Sequence, residues 1–490
     1  MKLKIKGGAS VDALALTFAR VVVLLISMAT YKLMASGFSI EEYGVYASAM
    51  LVVTTVVSLS ILGLTDAVNY FYLRDSDLEK GKVYVHTIFA LQTIVGGAAA
   101  IAILLFSNQI ADYFGNPAVA PLTPWIALIP LLTNVTNMLQ VLFVAAKKVK
   151  ALVIRNFVVA VFKIAAVAVA CLALKDITAV LAATFILDLG VVVYMLAYCR
   201  KYIFSVQLFR AKLGLTKEIL TYSVPMAACI FTNAMTKNLD KLVVGALGTP
   251  EDLGVYSVAS KELPFDLFTS AFLVVLIPYL TRYIANCDFK KAAEIFSKYL
   301  QLAYCGMFIV AGGALVCADE FICILYDKQY LVGVNVFCLF LLVDIIKFAT
   351  ATNIFSVSNK TKQLLVYSGS ALALNAALSV LLFKAVGLVG PALATVIATT
   401  WLACALMRGN ARLLRTNVWS LLNGGLLLRM TGECLLFGAL AYWLKTALAD
   451  KLYVFPLFLI VYAAYVAPLF LINYKRILSL VKAINGAKMA

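Results

Sequence analysis

Basic side chains lie inside several long apolar segments of this 490-residue chain. A cation facing hydrocarbon costs roughly 3 kcal/mol on insertion scales, so these side chains should face protein, water or an anionic ligand. Seven of these residues are interpreted as intramembrane, namely Arg20, Lys32, Lys163, Lys237, Lys241, Lys261 and Lys347. Arg20, Lys163 and Lys347 fall near the middle of three different segments, where cations in a wet cavity would offset the desolvation of a phosphate.

Six acidic residues within or beside these segments are set against the seven cations, namely Asp66, Asp188, Asp240, Glu262, Asp266 and Asp344. The resulting intramembrane charge is 7 − 6 = +1, which does not by itself establish an anion pathway. Lys237 and Asp240 are three residues apart, as are Asp344 and Lys347, and this spacing favours local pairs on one helix face. Lys237, Asp240 and Lys241, together with Lys261 and Glu262, are interpreted as a gate or an ion-pair cluster. Asp188 and Asp344 are candidates for binding a coupling ion, H⁺ or Na⁺, and Asp188 is also a candidate partner of Lys163.

Amide side chains provide hydrogen-bonding partners for the polar groups of a ligand. Asn137, Asn156 and Asn233 lie within apolar segments and join Arg20, Lys163 and Lys347 as candidate substrate-binding residues. Amides in such segments also bond neighbouring helices, so a purely structural role stays open for each of them.

The residue types do not favour bond chemistry or a bound cofactor. His86 is the single histidine and reads as an interfacial residue. There is no GxxxxGK[ST] phosphate loop, and the ten cysteines form no CxxC pair, so no metal site or nucleotide hydrolysis is predicted. Glu41, Glu42, Glu251 and Asp252 are interpreted as helix-capping and first-turn acids. An enzyme, such as a glycan polymerase or ligase, is disfavoured by the short loops on the outer side.

Composition indicates an integral membrane protein, because 63% of the residues are apolar and only 13% are charged. No segment alternates apolar and polar residues as a barrel strand would, so the fold is predicted to be all-α. Fourteen segments are long enough to span a bilayer: 9–35, 42–64, 83–106, 121–144, 151–174, 177–199, 217–246, 254–281, 294–318, 330–354, 363–383, 388–407, 423–444 and 453–473.

The distribution of positive charge predicts the orientation. Of the 41 Lys and Arg, 29 are assigned to the termini and the even-numbered loops, 5 to the opposite loops and 7 to the membrane interior. The positive-inside rule therefore places both termini in the cytoplasm. This bias also accounts for the net charge of +17 without a nucleic-acid partner.

An internal repeat divides the chain. Residues 41–49 (EEYGVYASA) and 251–259 (EDLGVYSVA) agree at five of nine positions, at a spacing of 251 − 41 = 210. Shorter matches at 148–152 and 360–364, and at 179–184 and 391–396, have a spacing of 212. Six predicted segments precede the second copy, and because six is an even number both copies enter the membrane from the same side. The repeat therefore predicts two six-helix lobes related by a pseudo-twofold axis along the membrane normal. The predicted domains are 1–212, 213–416 and 417–490, the last holding two extra helices.

Several of these motifs resemble a known family. Residues 222–225 (YSVP), 238–245 (NLDKLVVG), 254–259 (GVYSVA), 41–46 (EEYGVY) and 387–392 (GLVGPA) are similar to the signatures of Wzx-type polysaccharide flippases. That family belongs to the multidrug/oligosaccharidyl-lipid/polysaccharide (MOP, MATE-like) flippase superfamily. The resemblance extends over essentially the whole chain and specifies the superfamily better than the cargo.

The resemblance implies a bacterial inner-membrane flippase for an undecaprenyl-pyrophosphate-linked oligosaccharide, working by alternating access. It implies a lipid-linked substrate and the bilayer as partners, with a glycan polymerase and other surface-polysaccharide assembly proteins as further partners, and a monomer by default. Alternatives are a lipid II flippase, a drug/cation antiporter and a non-transporting scaffold. Replacing Arg20 or Lys163 by alanine is expected to abolish transport while the protein stays folded, and normal surface glycan in both variants would contradict the phosphate role.

Overall fold

The structure of the protein is a computed structural model. It describes residues 8–74, 78–261, 263, 266–358 and 360–486. Side-chain positions are described for all of these except residues 8–21, 78, 266–275, 485 and 486. Every regular element in the described ranges is helical, which confirms the predicted all-α class. The chain folds as two compact units, residues 1–254 and 255–490.

The first unit contains ten complete helices among the residues described. They are α1 (Gly8–Gly37), α2 (Ile40–Ser60), α3 (Leu64–Arg74), α4 (Leu78–Leu105), α5 (Ser107–Tyr113), α6 (Thr123–Ile126), α7 (Ile129–Ala145), α8 (Val149–Val169), α9 (Ile177–Tyr202) and α10 (Thr216–Leu247). The next helix, α11 (Pro250–Ala259), crosses the boundary between the units. The core of this unit is formed by side chains of α3, α4, α7 and α9, which bury an apolar cluster around Phe71, Ile88 and Phe143.

The second unit continues with α12 to α21. Its helices are α12 (Asp266–Ala285), α13 (Phe289–Val316), α14 (Ala318–Leu325), α15 (Val334–Ile346), α16 (Asn353–Val357), α17 (Thr361–Val386), α18 (Val389–Leu413), α19 (Val418–Leu422), α20 (Gly424–Leu448) and α21 (Val454–Gly486). Helix α13 contributes buried residues to two apolar clusters, one with α12 and α18 and the other with α20 and α21.

Eleven helical spans in the described residues are long and apolar enough to cross a membrane. A twelfth is added if the pair 117–126 and 129–145, bent by 41°, counts as one span. The two remaining predicted segments, 9–35 and 254–281, both contain residues that lie outside the described side chains. The multi-pass membrane class is therefore established, and the count of fourteen stays a prediction.

The internal repeat is visible in where the helices begin. Helices α2 and α11 begin at Ile40 and Pro250, and 250 − 40 gives the repeat spacing of 210. The hairpins α8–α9 and α17–α18 show the second spacing, since 361 − 149 and 389 − 177 both equal 212. The backbone turns before these hairpins match as well, since Lys148 N donates to Phe143 O at 2.7 Å and Lys360 N donates to Phe355 O at 2.8 Å. The repeated letters thus encode repeated local structure.

The acidic residues at the starts of the repeated helices are caps, as predicted. Glu42 accepts a hydrogen bond from Ser39 N at 2.8 Å, while Ser39 Oγ accepts from Glu42 N at 3.2 Å. At α11, Asp252 and Thr249 exchange the same pair of bonds at 2.9 and 3.1 Å. These reciprocal bonds satisfy amide groups that a helix start leaves without partners, so the carboxylates serve local structure.

His86 anchors the segment between α9 and α10. Its Nδ1 accepts a hydrogen bond from Gln207 N at 3.1 Å, and Lys212 N donates to the neighbouring Thr87 Oγ1 at 3.0 Å. The side chain of His86 is buried, because the long 203–215 connection folds back over the start of α4.

Candidate substrate-binding site

The antiparallel hairpin α8–α9 positions the central charges of the first unit. A tight turn joins the two helices, with Lys175 in the left-handed region (φ 50°) and Asp176 capping Thr178 N at 2.8 Å. Lys163 lies about three helical turns before this connection, and Asp188 lies about three helical turns after it. At 1.5 Å per residue both side chains lie about 16 Å from the turn. The hairpin therefore places one cation and one anion at the same depth.

Arg155 on α8 is a residue that the sequence pattern does not single out. Its exposed fraction is only 9%. Two of its guanidinium nitrogens, Nε and Nη2, have no hydrogen-bond partner among the described residues. Asp188 and Tyr194 of α9 lie near it. Burying a cation whose donors lack partners costs folding free energy, and an anionic ligand bound beside Arg155 would offset that cost.

Arg155 escapes detection because of its position near the start of α8. Arg155 is the fifth residue of the predicted segment 151–174, so close to its start that the charge count groups it with flanking basic residues such as Lys150. The helix begins at Val149, so Arg155 already lies six residues inside. Its guanidinium cannot be placed by counting residues, because burial depends on the neighbouring helices α1 and α9, which pack on α8.

Lys163 and Asp188 do not form a contact ion pair in the described part of the chain. Lys163 is exposed and Asp188 is half-buried, and the lysine acts on the carboxylate only at longer range. Tyr46 on α2 also interacts electrostatically with Asp188. Asp188 therefore lies among two cations and a tyrosine, with its oxygens available to a proton, a metal cation or water.

The central charges of this hairpin, Lys163 and Asp188, have no charged equivalents in its repeat. At the spacing of 212, Lys163 and Asp188 correspond to Asn375 and Thr400. Asn375 is buried and accepts a hydrogen bond from Ser379 Oγ at 2.9 Å. The second hairpin is thus held by neutral polar bonds. A scaffold role shared by both hairpins does not require charge, which favours a functional role for the cations of the first.

A row of tyrosines lies beside Arg155 on α9. Tyr194, Tyr198 and Tyr202 follow one another at four-residue spacing, with ring centroids 6.1 and 4.6 Å apart. Tyr194 and Tyr202 are exposed. Their amphipathic rings combine an apolar face with a hydroxyl group, as ligand sites and membrane interfaces both use.

The amide candidates differ in environment. Asn137 is half-buried on α7, and Asn156 and Asn233 are exposed on α8 and α10. None of the three forms a side-chain hydrogen bond within the described residues, which leaves their ligand role a prediction. Neighbouring Asn134 donates to Ser60 Oγ at 2.9 Å and therefore joins α7 to α2.

The remaining predicted site residues are divided between the units. Arg20 and Glu262 lie outside the described side chains. In the second unit, Lys347 Nζ donates to Asp344 Oδ1 at 2.7 Å, which confirms the predicted local pair. This pairing neutralises both residues in the described conformation, so Lys347 is not an uncompensated charge as Arg155 is.

The predicted gate cluster begins on the last turns of α10. Lys241 Nζ donates to the Lys237 backbone oxygen at 3.0 Å, one helical turn away. Asp240 is buried, whereas Lys237 is exposed. Lys261 follows directly after α11 and is half-buried. The gate and structural interpretations of these residues both stay predictions.

At its opposite end α10 is tied to α3 and α4 by a charged network. Arg74 donates to Glu218 Oε1 at 2.6 Å and to the Tyr84 hydroxyl at 3.0 Å. Tyr84 in turn donates to Glu218 Oε2 at 2.6 Å. Alongside, Tyr70 of α3 stacks on Tyr222 of α10 with ring centroids 4.4 Å apart. We call the five residues Arg74, Tyr84, Glu218, Tyr70 and Tyr222 the α3–α10 clasp.

Sequence comparison connects this arrangement to a family. Residues 33–335 match the family model described as polysaccharide biosynthesis protein. The match spans 335 − 33 + 1 = 303 of the 490 residues. Comparison with curated proteins gave no significant match.

Solved structures share the fold at low sequence identity. The lipid II flippase MurJ in an inward closed conformation aligns with a TM-score of 0.76 and 14% identity, covering 95% of this chain and 100% of that chain. An inward-facing multidrug resistance MATE family transporter of the MOP superfamily has a TM-score of 0.64 and 12% identity, with coverages of 81% and 96%. The MATE transporter VcmN of Vibrio cholerae aligns with a TM-score of 0.54 and 14% identity, covering 82% of this chain and 96% of that chain. The chain therefore has the fold that these flippase and transporter structures share, as the resemblance predicts.

Proposed function

Since the chain belongs to the polysaccharide biosynthesis protein family, we propose that it is a flippase for a lipid-linked oligosaccharide. Its cargo in this proposal is an undecaprenyl-pyrophosphate-linked repeat unit of a surface polysaccharide. It carries that unit from the cytoplasmic to the periplasmic leaflet of a bacterial inner membrane, with both of its own termini in the cytoplasm. Transport needs no bond chemistry.

The observation that carries the proposal is Arg155. A pyrophosphate must lose much of its hydration to cross the membrane, and a buried guanidinium with two unsatisfied nitrogens supplies charge-assisted hydrogen bonds in return. Lys163 at mid-helix adds a second cation, and Arg20 and Lys347 are the further candidates from the sequence. Exposed amides such as Asn156, together with the tyrosine row on α9, would meet the sugars while the polyprenyl tail stays in lipid.

Cation coupling is assigned to Asp188 within the same proposal. Its carboxylate lies at the depth of Lys163 without a contact ion pair in the described residues, so it can take up H⁺ or Na⁺ as the cycle proceeds. Asp344 is the less suitable candidate, because Lys347 already neutralises it. Protein partners in this proposal are a glycan polymerase and the other polysaccharide-assembly proteins, with the chain acting as a monomer.

A lipid II flippase is the second candidate. The sequence offers Arg20 as the single mid-helix arginine, which is few for such a cargo, and buried Arg155 weakens that objection. Both candidates carry a pyrophosphate-linked polyprenol, so the charges alone do not choose between them. A drug/cation antiporter would instead depend on Asp188 and would leave the cations without a partner.

Deletion of the gene in its source organism tests the proposal. We expect undecaprenyl-pyrophosphate-linked oligosaccharide to accumulate on the cytoplasmic leaflet, with surface glycan lost and growth intact, as measured by mass spectrometry of membrane lipids. Lethality with accumulated lipid II would move the assignment to peptidoglycan. Unchanged glycolipid traffic with altered drug sensitivity would make the protein an exporter of small cations.

The α3–α10 clasp makes a prediction about the transport cycle. Glu218→Gln removes the charge that holds Arg74, and we expect the helix ends to separate more often. Because both side chains are partly exposed, the pair is worth about 1 kcal/mol or less, which shifts the open population roughly fivefold or less. Cysteine crosslinking or spin-label distances between α3 and α10 in the reconstituted protein would measure the shift.

The clasp prediction has an internal control and a rescue. Glu79→Gln removes an ion pair that lies within α4 alone, with Lys82 at 2.6 Å, and should leave the α3–α10 distance unchanged. The exchange Arg74→Glu with Glu218→Arg should restore part of the closed population. Equal distances in Glu218→Gln and Glu79→Gln would show that the clasp does not hold the helices.

A further inference from the structure

A polar cavity of about 730 Å³ opens within the second unit, away from the hairpin α8–α9 in sequence. It lies between the start of α13 and the segment that joins α18 to α19. Its lining includes the cations Lys290 and Arg415 and the uncharged donors Ser297, Gln301 and Ser420. Such a concave set of convergent polar groups is typical of a ligand site.

The acidic residues of this cavity are already neutralised by neighbours. Asp288 Oδ2 pairs with Lys291 Nζ at 3.0 Å, and Glu294 Oε1 pairs with Lys298 Nζ at 2.7 Å. The hydrogen bond from Lys291 lowers the pKa of Asp288, so this carboxyl group stays ionised and paired at neutral pH. Asp288 also caps α13 by accepting from Lys291 N at 3.2 Å. The acids therefore do not supply a cation site.

The two remaining cations lack such partners. The side chains of Lys290 and Arg415 form no ion pair or hydrogen bond within the described part of the chain, although Asp288 and Glu294 act on Lys290 at longer range. The Arg415 guanidinium carbon lies 4.4 Å from the centre of the Phe289 ring. This cation–π contact uses the face of the Phe289 ring and leaves the N–H donors of the guanidinium for a two-point contact with an anion.

The cavity lies at the ends of two membrane spans. One span begins at Phe289 and the other ends at Leu413, and the cavity residues surround both points. In a bilayer this is the level of the polar headgroups, where anionic lipids attract basic residues. Lys290 and Arg415 therefore lie at the level of the lipid phosphates.

We propose that this cavity binds a phosphate group carried by the headgroup of an anionic phospholipid. Arg415 provides the two-point contact, Lys290 adds a second positive charge, and Ser297 and Ser420 supply hydroxyl donors to the remaining oxygens. This site is separate from the one proposed for transport. It gives the second unit a fixed lipid at one membrane surface.

Native mass spectrometry of the full chain released from micelles doped with phosphatidylglycerol tests this site. We expect the wild type to retain one such lipid and Arg415→Asn to bind it about tenfold more weakly. Asparagine is the suitable replacement because residue 415 has φ 53°, a conformation that asparagine tolerates better than alanine. Lys290→Ala, at an exposed position, serves as the second variant. Lys475→Ala, a basic residue of α21 outside the cavity, should bind the lipid as the wild type does.

Three outcomes overturn the proposal. Equal phosphatidylglycerol retention by wild type, Arg415→Asn and Lys290→Ala would show that the lipid binds elsewhere. Equal retention of zwitterionic phosphatidylcholine would remove the requirement for an anionic headgroup. Displacement of the lipid by millimolar inorganic phosphate, with the same loss in Arg415→Asn, would keep the phosphate site but overturn the lipid as its source.

Discussion

Replacing Gly44 by alanine is expected to force α2 and α11 apart and to destabilise the protein. A Cβ at residue 44 would lie 1.9 Å from the Pro250 carbonyl oxygen, and one at Gly254 would lie 2.4 Å from the Ile40 carbonyl oxygen. The obstructing atoms are backbone, so they cannot rotate away. Overpacking of this kind costs about 1–3 kcal/mol. Thermal unfolding of the purified protein should show a lower midpoint for Gly44→Ala and for Gly254→Ala.

The close contact between α2 and α11 is reciprocal, and a double variant therefore serves as a control. Gly44 corresponds to Gly254 and Ile40 to Pro250 at the repeat spacing of 210, so each copy of the motif presses on the other. The double variant should therefore cost less than the sum of the single ones, because either substitution already opens the crossing.

Glycines without neighbours provide the comparison for this prediction. Gly97 of α4 and Gly190 of α9 have open space within 4 Å of where an alanine Cβ would stand, and alanine there should raise helix stability by up to about 1 kcal/mol. If Gly44→Ala melted at the same temperature as Gly97→Ala, the close crossing would not exist in the populated state. If Gly44→Ala and Gly97→Ala also transported at equal rates, the close crossing of α2 and α11 would not matter to the transport cycle.

The second large effect is expected at Arg155, where function and stability should change in opposite directions. Arg155→Gln keeps much of the side-chain length and removes the charge. We expect transport to fall at least about tenfold, the effect of losing roughly 1.4 kcal/mol of contact with the pyrophosphate. Removing an uncompensated buried cation should at the same time leave the unfolding midpoint equal or higher. Transport of a fluorescent lipid-linked saccharide in proteoliposomes, together with thermal unfolding, measures both.

The matched control is Lys150→Gln, which removes the same charge from an exposed position on the first turn of α8. Its transport should stay near the wild-type value. A lower unfolding midpoint for Arg155→Gln, with unchanged transport by the folded fraction, would mean that Arg155 supports the fold. Unchanged transport with an unchanged midpoint would remove Arg155 from the site and leave Lys163 and Arg20 to carry the phosphate role.

What the sequence by itself determined is local or summed over the chain. Composition indicated a membrane protein, because the free energy of transferring apolar surface is summed over the chain. The lack of segments that alternate apolar and polar residues indicated helices. The caps formed by Glu42 and Asp252 were predictable because a capping box involves residues three positions apart. The Asp344–Lys347 pair was predictable for the same reason, since residues three apart share a helix face. The repeat spacing was read directly from the letters and reappears in the helix starts.

Tertiary structure alone decided which of these residues meet across helices. Arg155 reads as a flanking charge in the sequence, and only the packing of α1 and α9 on α8 buries it. The hydrogen bond that His86 accepts from Gln207 N joins residues 121 positions apart, and no spacing in the sequence predicts it. The crossing of Gly44 on Pro250 joins two distant parts of the chain, one from each copy of the repeat. Such contacts depend on distances between helices, which no period or spacing in the sequence contains.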